Sequence, residues 1–343
     1  MTDTEVASPG DERPRERAAT ITDVARLAGV AASTVSRALS NPGRVNVVTR
    51  ERIEEAAASL SYVPSAHAQS LTSGRTGSVA LLVPDIANPF YFDLIRGAQR
   101  QLRAAGYTQL LVDTEESHDV EEETLDAMLK AADGVILAAS RLDDAQLISA
   151  AGRQPLVTVN RDIPGVPSVI IDTPTGVRQA LTHLHSLGHR RVAFVGGPTD
   201  SWSSARRWEA LQTAAEDLGV DLSFIGPWAP NAAAGGAAAD AVAASSVTAC
   251  VVFNDLLAIG MLTRLTERGI RVPDDVSIVG TDDIFGAEFC HPPLTTVAAP
   301  IEEAGRVAVT MLLTQLETRG TPRMRTVLPT YLRTRQSSGQ APD

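Results

Sequence analysis

The apolar residues near the N-terminus recur with helical spacing in two short segments that a glycine separates. In the first segment, positions i, i+3, i+4 and i+7 are occupied by Ile21, Val24, Ala25 and Ala28. This spacing predicts a helix of about two turns. Thr20 is placed to cap its N-terminus, and Asp23 can complete a capping box. Gly29 should end the helix, because glycine adopts a left-handed backbone at little cost.

The second segment predicts a helix over residues 32–39 that buries Val35, Ala38 and Leu39. Two short helices around a tight turn form a helix-turn-helix, whose second helix can enter the major groove of DNA. The other face of that helix carries Ser33, Thr34, Ser36 and Arg37. An arginine guanidinium can donate two hydrogen bonds to a guanine. The motif therefore indicates DNA binding, although the same shape also occurs as a packing unit.

A third helix is predicted over residues 49–60, with Ile53, Ala56, Ala57 and Leu60 facing the first two helices. Residues 65–71 predict one more short helix before the linker TSGRTG. Isolated helices of that length are unstable in water, so this segment should order only when it packs or binds. Residues 1–18 are rich in Pro, Asp, Glu and Arg without periodicity and are predicted to be disordered.

From Gly77 onward, continuous apolar runs alternate with amphipathic segments. Strands are predicted at SVALLVP, TQLLVD, DGVILAA and PLVTVN, with helices at 91–105 and 121–131. A second set of strands follows at SVIID, RVAFVGG, ACVVFN and SIVGTD, with helices at 175–187, 204–218, 232–244 and 256–268. Such alternation is typical of parallel sheets covered by helices on both faces. The sequence thus predicts two doubly wound lobes, with a ligand site where the carboxyl ends of their strands face one another.

Composition is that of a globular protein. Of the 343 residues, 44% are hydrophobic, and no run of 18 or more apolar residues occurs. The N-terminal segment lacks the apolar stretch of a signal peptide, so a cytoplasmic location is expected. Cys250 and Cys290 are far apart in sequence and are expected to be reduced thiols.

The net charge of −11 is unevenly distributed. Between residues 20 and 75, six arginines accompany four acidic residues, so the acidity belongs to the rest of the chain. A small positive balance gives only weak nonspecific affinity for DNA. One headpiece should therefore bind poorly alone, and a homodimer on a palindromic site is expected.

Motifs along the whole chain add a family resemblance. The segments ITDVARLAGVAASTVSRALSN, GSVALLVPDIANPFYFDLIRGA, SLGHRRVAFVGGP, NDLLAIGML and VPDDVSIVGTDD resemble the LacI/GalR family of bacterial repressors, and the similarity spans residues 20–334. The resemblance implies a small all-α helix-turn-helix headpiece followed by an α/β periplasmic-binding-protein-like core of two doubly wound parallel-sheet lobes. It further implies a transcriptional regulator, expected to be a repressor, that a small-molecule effector controls.

The resemblance also assigns domain boundaries. The chain is expected to cross between lobes near residues 161–165, 296–300 and 322–326. The expected parts are a tail at 1–18, a headpiece at 19–63, a hinge helix and linker at 64–76, a first lobe at 77–161 plus 297–324, a second lobe at 162–296 plus 325–336, and a disordered tail at 337–343.

Operator contacts are likewise implied by the resemblance. Leu71 matches the hinge-helix leucine that enters the minor groove and kinks the DNA. Ala32 offers only a methyl contact, and Ala31 replaces a hydroxyl that often caps the recognition helix. The full set expected to contact DNA is Thr22, Ala32, Ser33, Thr34, Ser36, Arg37, Asn41, Tyr62, Ser65, Ala68 and Leu71.

Polar and aromatic residues at the predicted strand ends are candidates for binding the effector. A cleft with such groups suits a polyol, whose hydroxyls need donors and acceptors and whose C–H faces stack on rings, so a sugar or sugar derivative is expected. By resemblance, Arg207 and Asp282 match the family's paired effector-binding residues, and Trp228 matches a stacking aromatic. The expected set is Asp85, Phe90, Tyr91, Asn160, Arg161, Ser203, Arg207, Trp228, Asn254 and Asp282.

Several alternatives remain open at the level of sequence. Only one of Arg206 and Arg207 can face the cleft, and a nucleobase is an alternative effector. An enzyme on the same core would need a catalytic motif, but the sequence has no GxGxxG after a strand, no P-loop, no GxSxG and no HExxH. The histidines of THLHSLGHRR follow a helix end rather than metal-ligand spacing, so no metal or cofactor is predicted. A secreted solute-binding protein is opposed by the headpiece and by the missing signal peptide.

Overall fold

A computed structural model describes residues 19–40, 42–62, 75–318 and 324–342. The chain forms two compact units, Met1–Arg75 and Thr76–Asp343. No helix in these described ranges is both long enough and apolar enough to cross a membrane. Four of the expected DNA contacts and the N-terminal tail lie outside the described residues, namely Asn41, Ser65, Ala68, Leu71 and the segment 1–18.

Three helices form the headpiece: α1 (Ile21–Leu27), α2 (Ala32–Ser40) and α3 (Val47–Ser59). Their apolar faces meet in a core that contains Val24, Val35 and Ile53, all fully buried. Gly29 has a φ of 63°, as the predicted helix end requires. The helix-turn-helix predicted from apolar spacing is therefore present, and α3 begins two residues before the predicted position.

Replacing Thr20 by alanine should destabilise α1 by about 1 kcal/mol, because its capping box is lost. Thr20 Oγ1 accepts a hydrogen bond from the Asp23 amide at 3.4 Å, and Asp23 Oδ2 accepts one from the Thr20 amide at 3.0 Å. Amide hydrogen exchange of α1 should accelerate roughly fivefold in the full chain. Thr22 is exposed and lies two residues after Thr20, so Thr22→Ala provides the control. Equal exchange in the two variants would contradict the role of the cap.

The described part of the second unit alternates strands and helices, as predicted. The helices Asp144–Arg153 and Ile301–Thr318 and the strands Asp221–Ile225, Thr295–Ala298, Arg325–Leu328 and Tyr331–Arg333 were not predicted. In chain order the elements are β1 (Ser78–Val83), α4 (Phe90–Ala104), β2 (Thr108–Asp113), α5 (His118–Ala131), β3 (Gly134–Ala138), α6 (Asp144–Arg153), β4 (Leu156–Val159), β5 (Ser168–Ile171), α7 (Thr173–Ser186), β6 (Arg191–Val195), α8 (Trp202–Leu218), β7 (Asp221–Ile225), α9 (Gly235–Ala243), β8 (Ala249–Val252), α10 (Asp255–Glu267), β9 (Ser277–Thr281), β10 (Thr295–Ala298), α11 (Ile301–Thr318), β11 (Arg325–Leu328) and β12 (Tyr331–Arg333).

These strands form two six-stranded sheets, one in each lobe. The first has the order β11-β5-β4-β3-β1-β2, and the second has the order β12-β10-β9-β8-β6-β7. Neighbouring strands run parallel except β10 and β12, which are antiparallel. Within each sheet, the carboxyl ends of the parallel strands therefore lie at a common edge, where doubly wound sheets bind their ligands.

Helices cover the first sheet on both faces. Alternate residues of β1 illustrate this, because Leu81 packs with Leu94 of α4 and Leu312 of α11, whereas Leu82 packs with Leu125 of α5 and Leu147 of α6. A strand buried on both faces needs apolar residues at every position. This arrangement explains why SVALLV is a continuous apolar run rather than an alternating one.

Two of the predicted crossings between lobes are wrong. The strand β5 was assigned to the second lobe but pairs with β4 and β11 in the first sheet, so the first crossing follows Ile171 instead of lying at 161–165. Likewise β11 was assigned to the second lobe but lies in the first sheet, so the third crossing falls at residues 329–330. The second crossing, between β10 and α11, lies within the predicted 296–300. A buried apolar strand fits either sheet equally well, so its own pattern cannot assign it to a lobe.

The C-terminal segment also differs from its prediction. Residues 337–342 were expected to be disordered but pack along the second lobe. Ser337 is fully buried, and its Oγ accepts from the Thr295 amide at 2.8 Å and donates to the Ile278 carbonyl at 2.6 Å. The buried His189 ring approaches the Gly339 carbonyl at 3.1 Å. Side-chain hydrogen bonds to β9 and β10 order a polar segment that shows no apolar periodicity.

Candidate functional site

The polar face of α2 is the candidate DNA-reading surface of the headpiece. Val35 and Ala38 are buried on one side of α2, whereas Ser33 and Arg37 are exposed on the other. Its first turn contains no acidic residue, so the positive end of the helix dipole is unopposed there. At the N-terminus of α1, Thr22 is exposed, and Tyr62 packs in part against the headpiece core. The surface thus offers donors and a positive end, which suit phosphates and base edges.

A cavity of about 40 Å³ lies between the two lobes of the core. Its walls come from the carboxyl ends of strands and from the helices that follow them. Seven of the ten expected effector residues line it: Phe90, Tyr91, Asn160, Ser203, Arg207, Asn254 and Asp282. A space of this size holds on the order of three water molecules. The lobes must therefore separate to admit a larger ligand.

The other three expected residues have different roles in the structure. Asp85 accepts a hydrogen bond from the Ala87 amide at 2.8 Å and so closes the turn before α4. Arg161 bonds Asp144 of α6 at 2.8 Å, which holds its side chain along the first lobe. Trp228 packs against the core of the second lobe. None of the three lines the cavity in this structure.

Arg207 is the buried cation of the second lobe, and the structure decides between it and its neighbour. The Arg206 side chain is 51% exposed and bonds Glu209 at 2.5 Å. The Arg207 side chain is only 4% exposed, and it lies 3.9 Å from Asp282. Its guanidinium donates to the Phe253 carbonyl and lies over the Phe253 ring, 4.9 Å from the centroid. Burial lowers the pKa of Arg207, and the charge of Asp282 opposes that shift.

Asp282 belongs to a strained loop after β9. Its φ of 122° lies in the left-handed region, which residues other than glycine rarely adopt. Burial raises the pKa of Asp282 well above its usual value, and Arg207 offsets this effect in part. Strain of this kind persists where surrounding structure enforces it, and it is concentrated at ligand sites.

The buried Asp255 holds that loop in place. Its two carboxylate oxygens accept from Thr296 Oγ1 at 2.6 Å and from the Ile284 amide at 3.0 Å. An added Cβ at Gly280 would meet Asp255 Oδ1 at 2.1 Å, so glycine is required for this close approach. Burial raises the pKa of Asp255 to about 7. These contacts give Asp255 a structural role in the loop that carries Asp282.

Substituting Asp255 by asparagine should flatten the dependence of stability on pH. The Asp255 carboxyl has a pKa of about 7 in the folded state, against the ordinary value of 3.8 for aspartate, so it binds more protons when the chain is folded. Its contribution is therefore fully present below pH 4 and is lost as the pH rises to about 7, with a slope of up to about 1.4 kcal/mol per pH unit. The pKa of the buried His189 is lowered, so it acts in the opposite direction. Urea unfolding at pH 4.5, 6 and 7.5 should show a shallower decline for Asp255→Asn than for wild type, and identical slopes would contradict this assignment.

Sequence reasoning missed two charged residues of the cavity, Glu116 and Arg141. Arg141 bonds Glu116 within the first lobe and lies 4.0 Å from Asp200 of the second lobe. Both residues follow strands, β2 and β3, at the same carboxyl edge as the predicted set. The signal that could have identified them is therefore position after a strand, applied to all strands of the lobe. The cavity also includes Asn88 and Ser201, which flank predicted residues.

Comparison with known proteins identifies relatives of this chain. A family model of bacterial regulatory proteins of the lacI family matches residues 20–65, and one of a periplasmic binding protein-like domain matches residues 181–338. The HTH-type transcriptional repressor CytR of Escherichia coli is 34% identical over 313 residues, which cover 89% of this chain and 92% of CytR. These names describe regulators of transcription, and none describes an enzyme.

Solved structures agree with this grouping. The Lac repressor dimer bound to operator and an anti-inducer superposes with a TM-score of 0.82 at 26% identity, covering 94% of this chain and all of that one. The complex of the transcriptional regulator CelR with cellobiose has a TM-score of 0.69 at 32% identity, covering 93% of this chain and 99% of that one. The predicted fold, a helical headpiece followed by a two-lobed core, is confirmed. The chain belongs to the LacI family of bacterial regulatory proteins.

Proposed function

We propose that the chain is a homodimeric repressor that binds a palindromic operator and is controlled by a sugar or sugar derivative held between its core lobes. One observation carries this proposal. The same chain joins a helix-turn-helix with an exposed arginine on its second helix to a core with a polar cavity between two hinged lobes. DNA binding alone needs no ligand cavity, and ligand binding alone needs no helix-turn-helix. Their presence in one chain therefore favours DNA binding that a ligand controls.

The DNA-binding half of the proposal rests on α2. Arg37 is exposed in its last turn, where a guanidinium can read the O6 and N7 atoms of guanine. The similarity to the Lac repressor dimer on its operator supports binding as a pair. An exposed aromatic pair in the core also supports a subunit interface, since Phe285 and Phe289 are 80% and 70% exposed with ring centroids 5.0 Å apart. Leu71 is proposed to enter the minor groove between the two headpieces.

The regulatory half rests on the hinged core. A ligand that prefers one separation of the lobes shifts the equilibrium between conformations by its difference in affinity for them. A difference of about 1.4 kcal/mol changes operator affinity tenfold. The similarity to the CelR–cellobiose complex supports a carbohydrate. The rings of Phe90, Tyr91 and Phe253 at the cavity also suit a flat heterocycle, so a nucleobase is the second candidate.

DNase footprinting of the chain's own promoter region tests the proposal. The full chain should protect a segment with two-fold symmetry, and the fragment Thr76–Asp343 should protect none. Protection by the fragment would contradict the assignment of DNA binding to the headpiece.

A thermal-shift screen of the full chain against sugars, sugar alcohols and nucleobases tests the effector class. Failure of every carbohydrate to raise the melting temperature would count against a carbohydrate effector.

A further inference from the structure

The cavity between the lobes presents few free hydrogen-bond acceptors. Each of its three asparagines has its side-chain oxygen occupied by a backbone amide, at 3.0 Å in each case. The bonds run from the Phe90 amide to Asn88, from the Ile171 amide to Asn160, and from the Leu257 amide to Asn254. The hydroxyl of Ser201 likewise accepts from the Ser204 amide at 3.2 Å. Asn88, Asn160 and Ser201 can therefore offer a ligand their N–H and O–H groups more readily than their oxygens, whereas the Asn254 side-chain nitrogen already donates one hydrogen bond to the Pro230 carbonyl at 2.8 Å.

Two cations in the same cavity have donors to spare. Arg141 comes from the first lobe and Arg207 from the second, and their side chains are 5% and 4% exposed. The Nε–H of each is buried and has no hydrogen-bond partner among the described residues. A buried donor left unpaired costs free energy that an incoming acceptor can recover. A negatively charged acceptor forms the strongest hydrogen bond with a guanidinium, so it recovers the most of this free energy.

The first lobe places Arg141 with several contacts. Its side chain bonds Glu116, and its backbone amide donates to Glu121 at 2.8 Å. Just before it, Ala139 has a φ of 49°, a left-handed conformation at the end of β3. Strain and two anchoring carboxylates indicate that the position of Arg141 is imposed by the fold.

The carboxylates of the cavity leave room for an additional anion. Glu116 is already bonded to Arg141, whereas Asp282 lies 3.9 Å from Arg207 and Asp200 lies 4.0 Å from Nε of Arg141, both beyond hydrogen-bond distance. Burial raises the pKa of Asp282, which favours its neutral form. The Tyr91 hydroxyl, whose pKa burial also raises, stays protonated and can donate as well.

We propose that the cavity binds the oxyanion group of an acidic sugar derivative, a carboxylate or a phosphoryl group, between Arg141 and Arg207. The proposal rests on the proposed function and narrows its effector class. Arg141 then determines specificity, since it distinguishes the acidic derivative from the neutral parent sugar. On binding, the anion would take up the free Nε–H of each guanidinium and connect the two lobes.

Matched pairs of ligands test this proposal on the full chain. The probes are D-glucose, D-glucuronate and D-glucose 6-phosphate, together with D-ribose and D-ribose 5-phosphate, each at constant ionic strength in thermal-shift titrations. At least one acidic probe should bind about tenfold or more tightly than its neutral parent, as a charge-assisted hydrogen bond predicts. The comparison of glucuronate with glucose 6-phosphate, which both carry the anion at C6, shows which oxyanion is preferred.

Variants of Arg141 test whether this residue causes the preference for acidic over neutral probes. Arg141→Gln should remove most of it, and Arg141→Lys, which keeps the charge but loses the planar fork, should retain part of it. Arg153→Gln is the matched control, because Arg153 is an exposed arginine of the same lobe that bonds Asp126. Equal binding of neutral and acidic probes, no binding by any acidic probe, or an unchanged preference in Arg141→Gln would each overturn the proposal. The wild-type comparison needs no variant, and operator footprinting by the wild type separates failure here from failure of the proposed function.

Discussion

Replacing Gly305 by alanine is expected to lower the free energy of unfolding of the core by about 2 kcal/mol or more. The helices α4 and α11 approach so closely that an added Cβ at Gly305 would lie 2.2 Å from the Leu94 carbonyl oxygen. The approach is reciprocal, because a Cβ at Gly97 would lie 2.0 Å from the Glu302 carbonyl oxygen. Backbone atoms cannot rotate away, so the helices must separate and give up part of the packing between them.

A matched control isolates the steric effect from the helical preference of alanine. Gly152 lies near the end of α6, is exposed, and would meet no atom within 4 Å if it gained a Cβ. Gly152→Ala should therefore stabilise the core by about 0.5 kcal/mol or more. Urea unfolding monitored by circular dichroism should give shifts of opposite sign for Gly305→Ala and Gly152→Ala. Two stabilising substitutions would show that the crossing of α4 and α11 is looser than described.

The crossing also affects the cavity. Phe90 and Tyr91 line the cavity from the first turn of α4, and α11 begins directly after the second passage between lobes. Separating the two helices would therefore shift the aromatic wall of the effector site. Gly97→Ala and Gly305→Ala should weaken effector binding even though neither residue lines the cavity.

Arg37→Ala is expected to reduce operator affinity by 1 to 3 kcal/mol, or roughly 5-fold to 150-fold, and to reduce nonspecific affinity only by the smaller factor that the loss of one charge causes. Its guanidinium is exposed on the face of α2 opposite the headpiece core, so its removal should not disturb folding. The effect should fall on specificity, because a base contact is lost in addition to one charge. Electrophoretic mobility shifts on operator and scrambled DNA at two salt concentrations measure both quantities.

The control for Arg37 is an arginine on another helix of the headpiece. Arg26 is exposed at the end of α1 and pairs with Asp23 at 3.1 Å. Arg26→Ala removes the same charge, so it should weaken operator and scrambled DNA by the same factor. If the two variants lowered the ratio of specific to nonspecific affinity equally, Arg37 would have no role in base readout.

Periodicity predicted the architecture because it reports burial directly. The continuous apolar run of β1 and the face of α1 each show which surfaces are covered, and both were assigned from sequence. The lobe to which β5 belongs depends instead on a partner far along the chain, β11. No local pattern contains that information, so the crossings were misplaced.

The cavity shows the same limit at the level of single residues. Arg161 and Arg141 both follow strands of the first sheet, and sequence position alone ranks them equally. Asp144 holds Arg161 away from the cavity, whereas Glu116 and the loop after β3 hold Arg141 within it. These partners come from α6 and from the loop after β2. The choice between two arginines is therefore made by tertiary contacts.

The three passages between lobes all leave from one side of the core, where β5 and β11 lie at one edge of the first sheet and β10 and β12 at one edge of the second. When the lobes rotate about that side, each strand of the first sheet moves in proportion to its distance from β5. Every further strand adds about 4.8 Å to that distance. A 10° opening thus moves the end of β4, where Asn160 lies, by only about 0.8 Å, but moves the end of β3, which Arg141 follows, by about 1.7 Å. An anion held by Arg141 exerts more torque on the hinge than the same bond made at Asn160. Where an effector is bound along the sheet therefore matters as much to regulation as how tightly it is bound.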